Sequence, residues 1–104
     1  MKYDITLYSP YKTQPGELYD HVKTAYLAGI RVRTLLRYWK SGIVEPTKNT
    51  GRHGIYFNDE AVYKLRQAEY LRREHSINLR GIQLILAFHH RIEELNTELN
   101  FWKK

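Results

Sequence analysis

Leu-Ala-Gly-Ile-Arg-Val-Arg-Thr-Leu-Leu-Arg-Tyr-Trp-Lys-Ser-Gly-Ile-Val-Glu-Pro, from Leu27 to Pro46, reads as the end of one helix, a tight reversal and a second helix carrying cations. Gly29 stands where the first helix must stop, because glycine alone enters the positive-φ region without a steric penalty. Beyond it, Val32, Leu35, Leu36 and Trp39 recur at three- and four-residue steps, which predicts a helix from Val32 to Ser41 with that apolar stripe, closed by Gly42. Arg33, Arg37 and Lys40 fall elsewhere around the cylinder. Two helices joined by a short glycine-containing turn form the helix-turn-helix, whose second helix enters the major groove of DNA.

Outward from this core the same logic places the remaining elements. Glu17 to Ala28 reads as the first helix, with Leu18, Val22 and Ala25 on one face and Pro15 near its start. After Pro46, Thr47 to Phe57 holds two glycines and then three apolar residues, the pattern of a small β-hairpin or wing with Arg52 and His53 at its tip. Asn58 is a suitable cap for a third helix, whose first turn carries Asp59 and Glu60 and whose buried side is Ala61, Val62, Leu65, Ala68 and Leu71. Ser76-Ile77-Asn78 breaks it, and Asn78 caps a last helix to about Trp102. In that helix Ile85, Phe88, Ile92, Leu95, Leu99 and Trp102 are spaced 3, 4, 3, 4 and 3, a heptad seam. A helix from Leu79 to Trp102 rises roughly 36 Å, more than a small domain covers, so its distal part is expected to pair with a second chain and form a homodimer. Near the start, Tyr3, Ile5 and Leu7 alternate as in a short strand before Pro10 and Pro15-Gly16 interrupt it.

The expected fold is thus mainly α: a winged helix-turn-helix with a small β wing and a C-terminal dimerisation helix. Residues 1–16 form an extension, 17–76 the winged domain and 77–104 the dimerisation helix.

Charge narrows the partner. The 104 residues carry a formal +6, and the segment 19–58 alone holds seven Lys and Arg against two Asp and Glu. Clustered cations suit a polyanion. Arg31, Arg33, Arg37, Tyr38, Lys40, Lys48 and Arg52 are the candidate contacts to double-stranded DNA, with Lys23 at the backbone. Arg33, Thr34 and Arg37 are the candidate readers of base edges. Cysteine is absent, which removes disulfides and thiolate metal sites. The five histidines, His21, His53, His75, His89 and His90, match no metal-ligand spacing, and no cofactor is expected. Glu93, Glu94 and Glu98 lie beside Arg91 on a surface helix and read as solvated ion pairs, so no enzymatic site is expected. No apolar run approaches the roughly 18 residues of a membrane span, and the expected location is the cytoplasm, at the nucleoid.

From Tyr19 to Leu99 the chain resembles the MerR family of regulators. Tyr19, Val22, Ala25, Leu27-Ala28-Gly29, Val32-Arg33-Thr34-Leu35, Tyr38 and Gly42-Ile43-Val44-Glu45-Pro46 match its winged helix-turn-helix, and Phe57-Asn58-Asp59-Glu60 through Val62 and Leu65 its wing exit and third helix. Asn78-Leu79-Arg80-Gly81-Ile82, continuing to Ile85-Leu86, is similar to the segment of HspR-type heat-shock repressors and CbpM-type chaperone modulators. The first resemblance implies a dimer binding an inverted-repeat operator. The CbpM-type likeness implies instead a dimer contacting a J-domain co-chaperone, so a J-domain or Hsp70-type chaperone is the alternative partner. The basic segment coincides with the helix-turn-helix and wing, which favours DNA. Three positions depart from the pattern: Leu36-Arg37 replaces Arg-Tyr, Arg31 replaces a serine cap, and Ile55 replaces a wing arginine. A separate effector-binding domain, which many members carry, is not expected.

Overall fold

Two Gly-Ile steps set the angle of the helix-turn-helix. A computed structural model describes residues 12–103; the strand expected at Tyr3, Ile5 and Leu7 lies outside them. Helix α1 (His21–Ala28) ends at Gly29, at φ 72°, where the Ile30 N–H donates to the Ala25 carbonyl and the Gly29 N–H to that of Tyr26, at 3.0 and 3.1 Å. Helix α2 (Val32–Lys40) ends the same way: Gly42 takes φ 85°, Ile43 donates to Tyr38 and Gly42 to Trp39, both at 3.0 Å. In each the six-to-one and five-to-two bonds of a Schellman turn satisfy carbonyls that a helix end leaves open. Ile30 and Ile43, the residues that follow, are buried, so each turn is tied to the core by its own side chain.

The first helix starts later than its periodicity predicts. Tyr19–Asp20 form strand β1, and Asp20 is the α1 cap, its Oδ1 accepting from the Lys23 N–H at 2.7 Å. With Asp20 setting the phase, α1 buries Thr24, Ala25, Leu27 and Ala28, while Leu18 and Val22 face solvent. The wing forms as expected: β2 (Lys48–Asn49), a 3-10 turn (Gly51–His53) carrying Arg52 and His53, and β3 (Ile55–Phe57). Its sheet gains a third member, since β1 pairs antiparallel with β3, Tyr19 opposite Phe57 and Asp20 opposite Tyr56. Helices α3 (Asp59–His75) and α4 (Leu79–Trp102) carry the caps read from sequence: Asn58 Oδ1 accepts from the Ala61 N–H at 3.0 Å and Asn78 Oδ1 from Gly81 at 2.9 Å.

All elements but β2 and the 3-10 turn contribute to one core, built from Leu35 and Tyr38 of α2, Phe57 of β3, Val62, Leu65 and Leu71 of α3 and Ile82 of α4. Trp39 meets Phe57 edge to face, centroids 6.2 Å apart. Arg66 is buried and spans from α3 to α1, donating from Nε and Nη2 to the Leu27 carbonyl at 3.1 and 2.8 Å. A cation at that helix C-terminus opposes the negative end of its dipole. Among the described residues, no helix is long and apolar enough to cross a membrane.

Ser76 ends α3 at φ 53°, a left-handed conformation that costs a side-chain-bearing residue about 1–2 kcal/mol. Ser76→Gly is expected to stabilise the protein by about 0.5–1 kcal/mol, after the larger unfolded-state entropy of glycine is subtracted. Urea denaturation checks it; an unchanged or lowered midpoint shows that the Ser76 conformation carries no strain.

Candidate nucleic-acid interface

Helix α2 is short, and it is held in place from one side. Successive residues advance by about 100°, so Leu35, Tyr38, Trp39 and Val32 share one arc, and Leu35 and Tyr38 are fully buried on it. Arg33, Arg37 and Lys40 occupy an arc of about 60° on the opposite side, all three exposed. Leu36, read from sequence as part of the apolar stripe, is 44% exposed and stands at the margin of the cationic arc. The apolar face is therefore centred on Leu35 and Tyr38.

Tyr38 is the one candidate contact that the structure removes. Its side chain is inaccessible, and its hydroxyl donates to Glu69 Oε1 at 2.9 Å. Glu69 is itself buried in α3 and also accepts a two-pronged bond from Arg72, Nε to Oε1 at 2.8 Å and Nη2 to Oε2 at 3.0 Å, with Arg73 Nη2 3.2 Å from Oε2. Burial alone would raise the Glu69 carboxyl, but the hydrogen bonds from Arg72 and Tyr38 and the two guanidinium charges outweigh it and hold its pKa below the usual carboxylate value. Burial and the neighbouring carboxylate push the Tyr38 phenol up to about 12.

The other candidates lie at the surface. Lys23 projects from α1, its Nζ 5.8 Å from the Tyr26 ring centroid. Arg31 occupies the α2 cap position, where no side chain caps the first turn, and Thr34 is half-buried one turn on. Lys48 lies on β2 and Arg52 on the 3-10 turn at the wing tip, both exposed. An open groove of about 630 Å³ at the start of α2 brings Arg31 and Thr34 together with Tyr26 of α1 and Glu69, Arg72 and Arg73 of α3. Arg72 and Arg73 were not among the residues singled out by sequence. The Glu69-x-x-Arg72-Arg73 spacing was the available signal, since residues three and four apart meet on a helix. Gln83 of α4 donates to the carbonyl of Ser41, the last residue before Gly42, so α4 also holds the C-terminal end of α2.

On α4, Ile85 turns inward and packs on the core, and Leu84, 43% exposed, takes its place at the head of the stripe. Phe88, Ile92, Leu95, Leu99 and Trp102 follow along the same side, all exposed. His89 and His90 lie 3.7 and 2.9 Å from Glu93 and Glu94 along the helix surface, and Arg91 pairs with Glu94 at 3.0 Å. Among the described residues, no group of three or more His, Asp or Glu is placed to hold a metal ion.

Two comparisons bear on this arrangement. Residues 23–104 match the model of the MerR HTH family regulatory proteins. A Streptomyces coelicolor protein described as a putative heat shock protein HspR is 32% identical over 88 residues, covering 84% of this chain and 58% of that relative. The chain thus spans a little over half the length of the relative it matches.

The Tyr38–Glu69 pair has a pH signature. A phenol raised in the folded state contributes stability that is complete below its unfolded value near 10 and is lost as pH rises toward about 12. Ultraviolet difference titration is expected to find one tyrosine ionising close to pH 12, and Tyr38→Phe is expected to abolish that step. A titration in which Tyr38→Phe removes a tyrosine ionising with the others would show the pair to be open to water.

Proposed function

We infer that this chain, which belongs to the MerR HTH family of regulatory proteins, is a transcriptional regulator that binds an inverted-repeat operator in duplex DNA as a homodimer. One observation carries the reading. From His21 to Val44, across both helices of the helix-turn-helix, there is no Asp or Glu, while Lys23, Arg31, Arg33, Arg37 and Lys40 are all exposed. An arc of cations facing away from the buried Leu35 and Tyr38 suits phosphate and the guanine edge, to which arginine donates two parallel bonds.

In this reading Arg33, Thr34 and Arg37 face base edges, and Lys23, Arg31, Lys40, Lys48 and Arg52 fix the register through phosphates. The wing lies beside α2 and carries the last two of these. The exposed stripe from Phe88 to Trp102 joins two protomers, because a run of five large apolar side chains open to water is the composition of an interface. The likeness to a heat shock protein supports a stress-response operator.

Selection from random duplexes is expected to enrich an inverted repeat. Arg33→Ala and Arg37→Ala should each weaken binding to it by roughly 1–3 kcal/mol and relax discrimination at one position, whereas Lys48→Ala should weaken all sequences alike. If about four of the five cations assigned to phosphates reach them in each protomer, log K should fall against log salt with a slope near −7. No enriched motif, together with tight binding of a J-domain protein that Arg52→Ala leaves unchanged, would replace this reading with that of a chaperone modulator.

Leu95→Glu introduces a charge into the middle of the stripe and is expected to convert the dimer to a monomer in light scattering at micromolar concentration. A wild-type protein already monomeric there, or a variant of unchanged mass, refutes the α4 interface.

A further inference from the structure

Leu36 is the residue on α2 for which the fold supplies no use. It lies in the middle of the helix, outside both the core and the half-buried residues packed on it, and is 44% exposed. Its neighbours on the helix surface are Arg33, three residues before, and Lys40, four after. Arg37 follows it directly. An apolar side chain framed by cations, on the face that this reading turns toward DNA, meets a surface of known chemistry. In the major groove every base edge presents hydrogen-bond donors or acceptors, and the one apolar feature is the C5-methyl group of thymine.

We propose that Leu36 is a specificity-determining residue that packs on a thymine methyl group, one in each half-site, beside the bases contacted by Arg33 and Arg37. The assignment rests on the DNA-binding reading above. The two flanking cations cannot read a methyl group, and Leu36 has neither donor nor acceptor for any other base feature. Its contact therefore distinguishes thymine from cytosine and from uracil, which differs from thymine by that methyl alone. The same contact accepts 5-methylcytosine.

The test changes the DNA first and the protein second, so folding does not intervene. Starting from the selected inverted repeat, each thymine is replaced in turn by deoxyuridine and binding is titrated by fluorescence anisotropy. One symmetry-related position is expected to lose about fourfold in affinity per half-site, the fold-change that burying one methyl-sized group supplies. Leu36→Ala is expected to bind the thymine duplex as weakly as wild type binds the uracil duplex, and to be indifferent to the replacement. Replacing that thymine–adenine pair by 5-methylcytosine–guanine should preserve more wild-type affinity than replacing it by cytosine–guanine. Selective binding with no methyl-sensitive position overturns the role of Leu36 alone, and a methyl effect that persists in Leu36→Ala assigns it to another side chain such as Thr34. If no duplex is bound selectively, the DNA-binding reading falls and this assignment falls with it.

Discussion

The buried carboxylate of Glu69 is the constraint on which the cationic face of α2 depends. A nine-residue helix with a cation at its cap position has little stability of its own. Helix α2 holds its orientation because Leu35 and Tyr38 are sunk in the core and because the Tyr38 hydroxyl ends on Glu69. A carboxylate removed from water must be matched by donors. Arg72 and Arg73 supply them from the last turn of the same helix, with their outer parts still in solvent. The result is a polar pin through an otherwise apolar contact, which fixes the rotation of α2 as well as its distance from α3. Rotation decides which side chains point outward, so the position of Arg33, Arg37 and Lys40 is a consequence of a bond made on the far side of the helix.

Local signals in the sequence accounted for much of the architecture. Asn58 and Asn78 cap the helices that follow them, Gly29 and Gly42 close those before, and the two wing glycines bracket Arg52 and His53. Each of these is decided within a few residues. What escaped the reading was decided over longer distances. Strand β1 exists only because Tyr19 finds Phe57 in β3, and the late start of α1 follows from it. Tyr38 was read as a DNA contact because a tyrosine among arginines carries no local sign that a glutamate 31 residues later will accept its hydrogen bond. Ile85 and Leu84 exchange roles for a similar reason, since either fits the spacing and only the docking angle of α4 on the core chooses between them.

The distribution of charge along the chain follows the same division of labour. The helix-turn-helix carries cations with no acidic partner between His21 and Val44, whereas α3 and α4 interleave both signs in ion pairs such as Glu69 with Arg72 and Glu94 with Arg91. Paired charges are screened and contribute little to a distant field. Unpaired ones on adjacent elements add. Among the described residues, cations without an acidic neighbour in sequence are therefore concentrated in α1 and α2, although arginines and lysines occur in α3 and α4 as well.

The bond from Gln83 to the Ser41 carbonyl makes α4 a mechanical lever. Its short arm is clamped to the end of α2 and to the core through Ile82, while its long arm runs out to the exposed Trp102. Over the roughly 30 Å of helix beyond the clamp, each degree of tilt moves the far end by about 0.5 Å. A displacement of one helical residue at Trp102 thus corresponds to a tilt of only about three degrees at the clamp, about 1.5 Å being the rise per residue. Whatever grips the distal half of α4 therefore holds the angle of α4 against α2 with a large mechanical advantage, and a small change of that angle at α2 is amplified in the other direction.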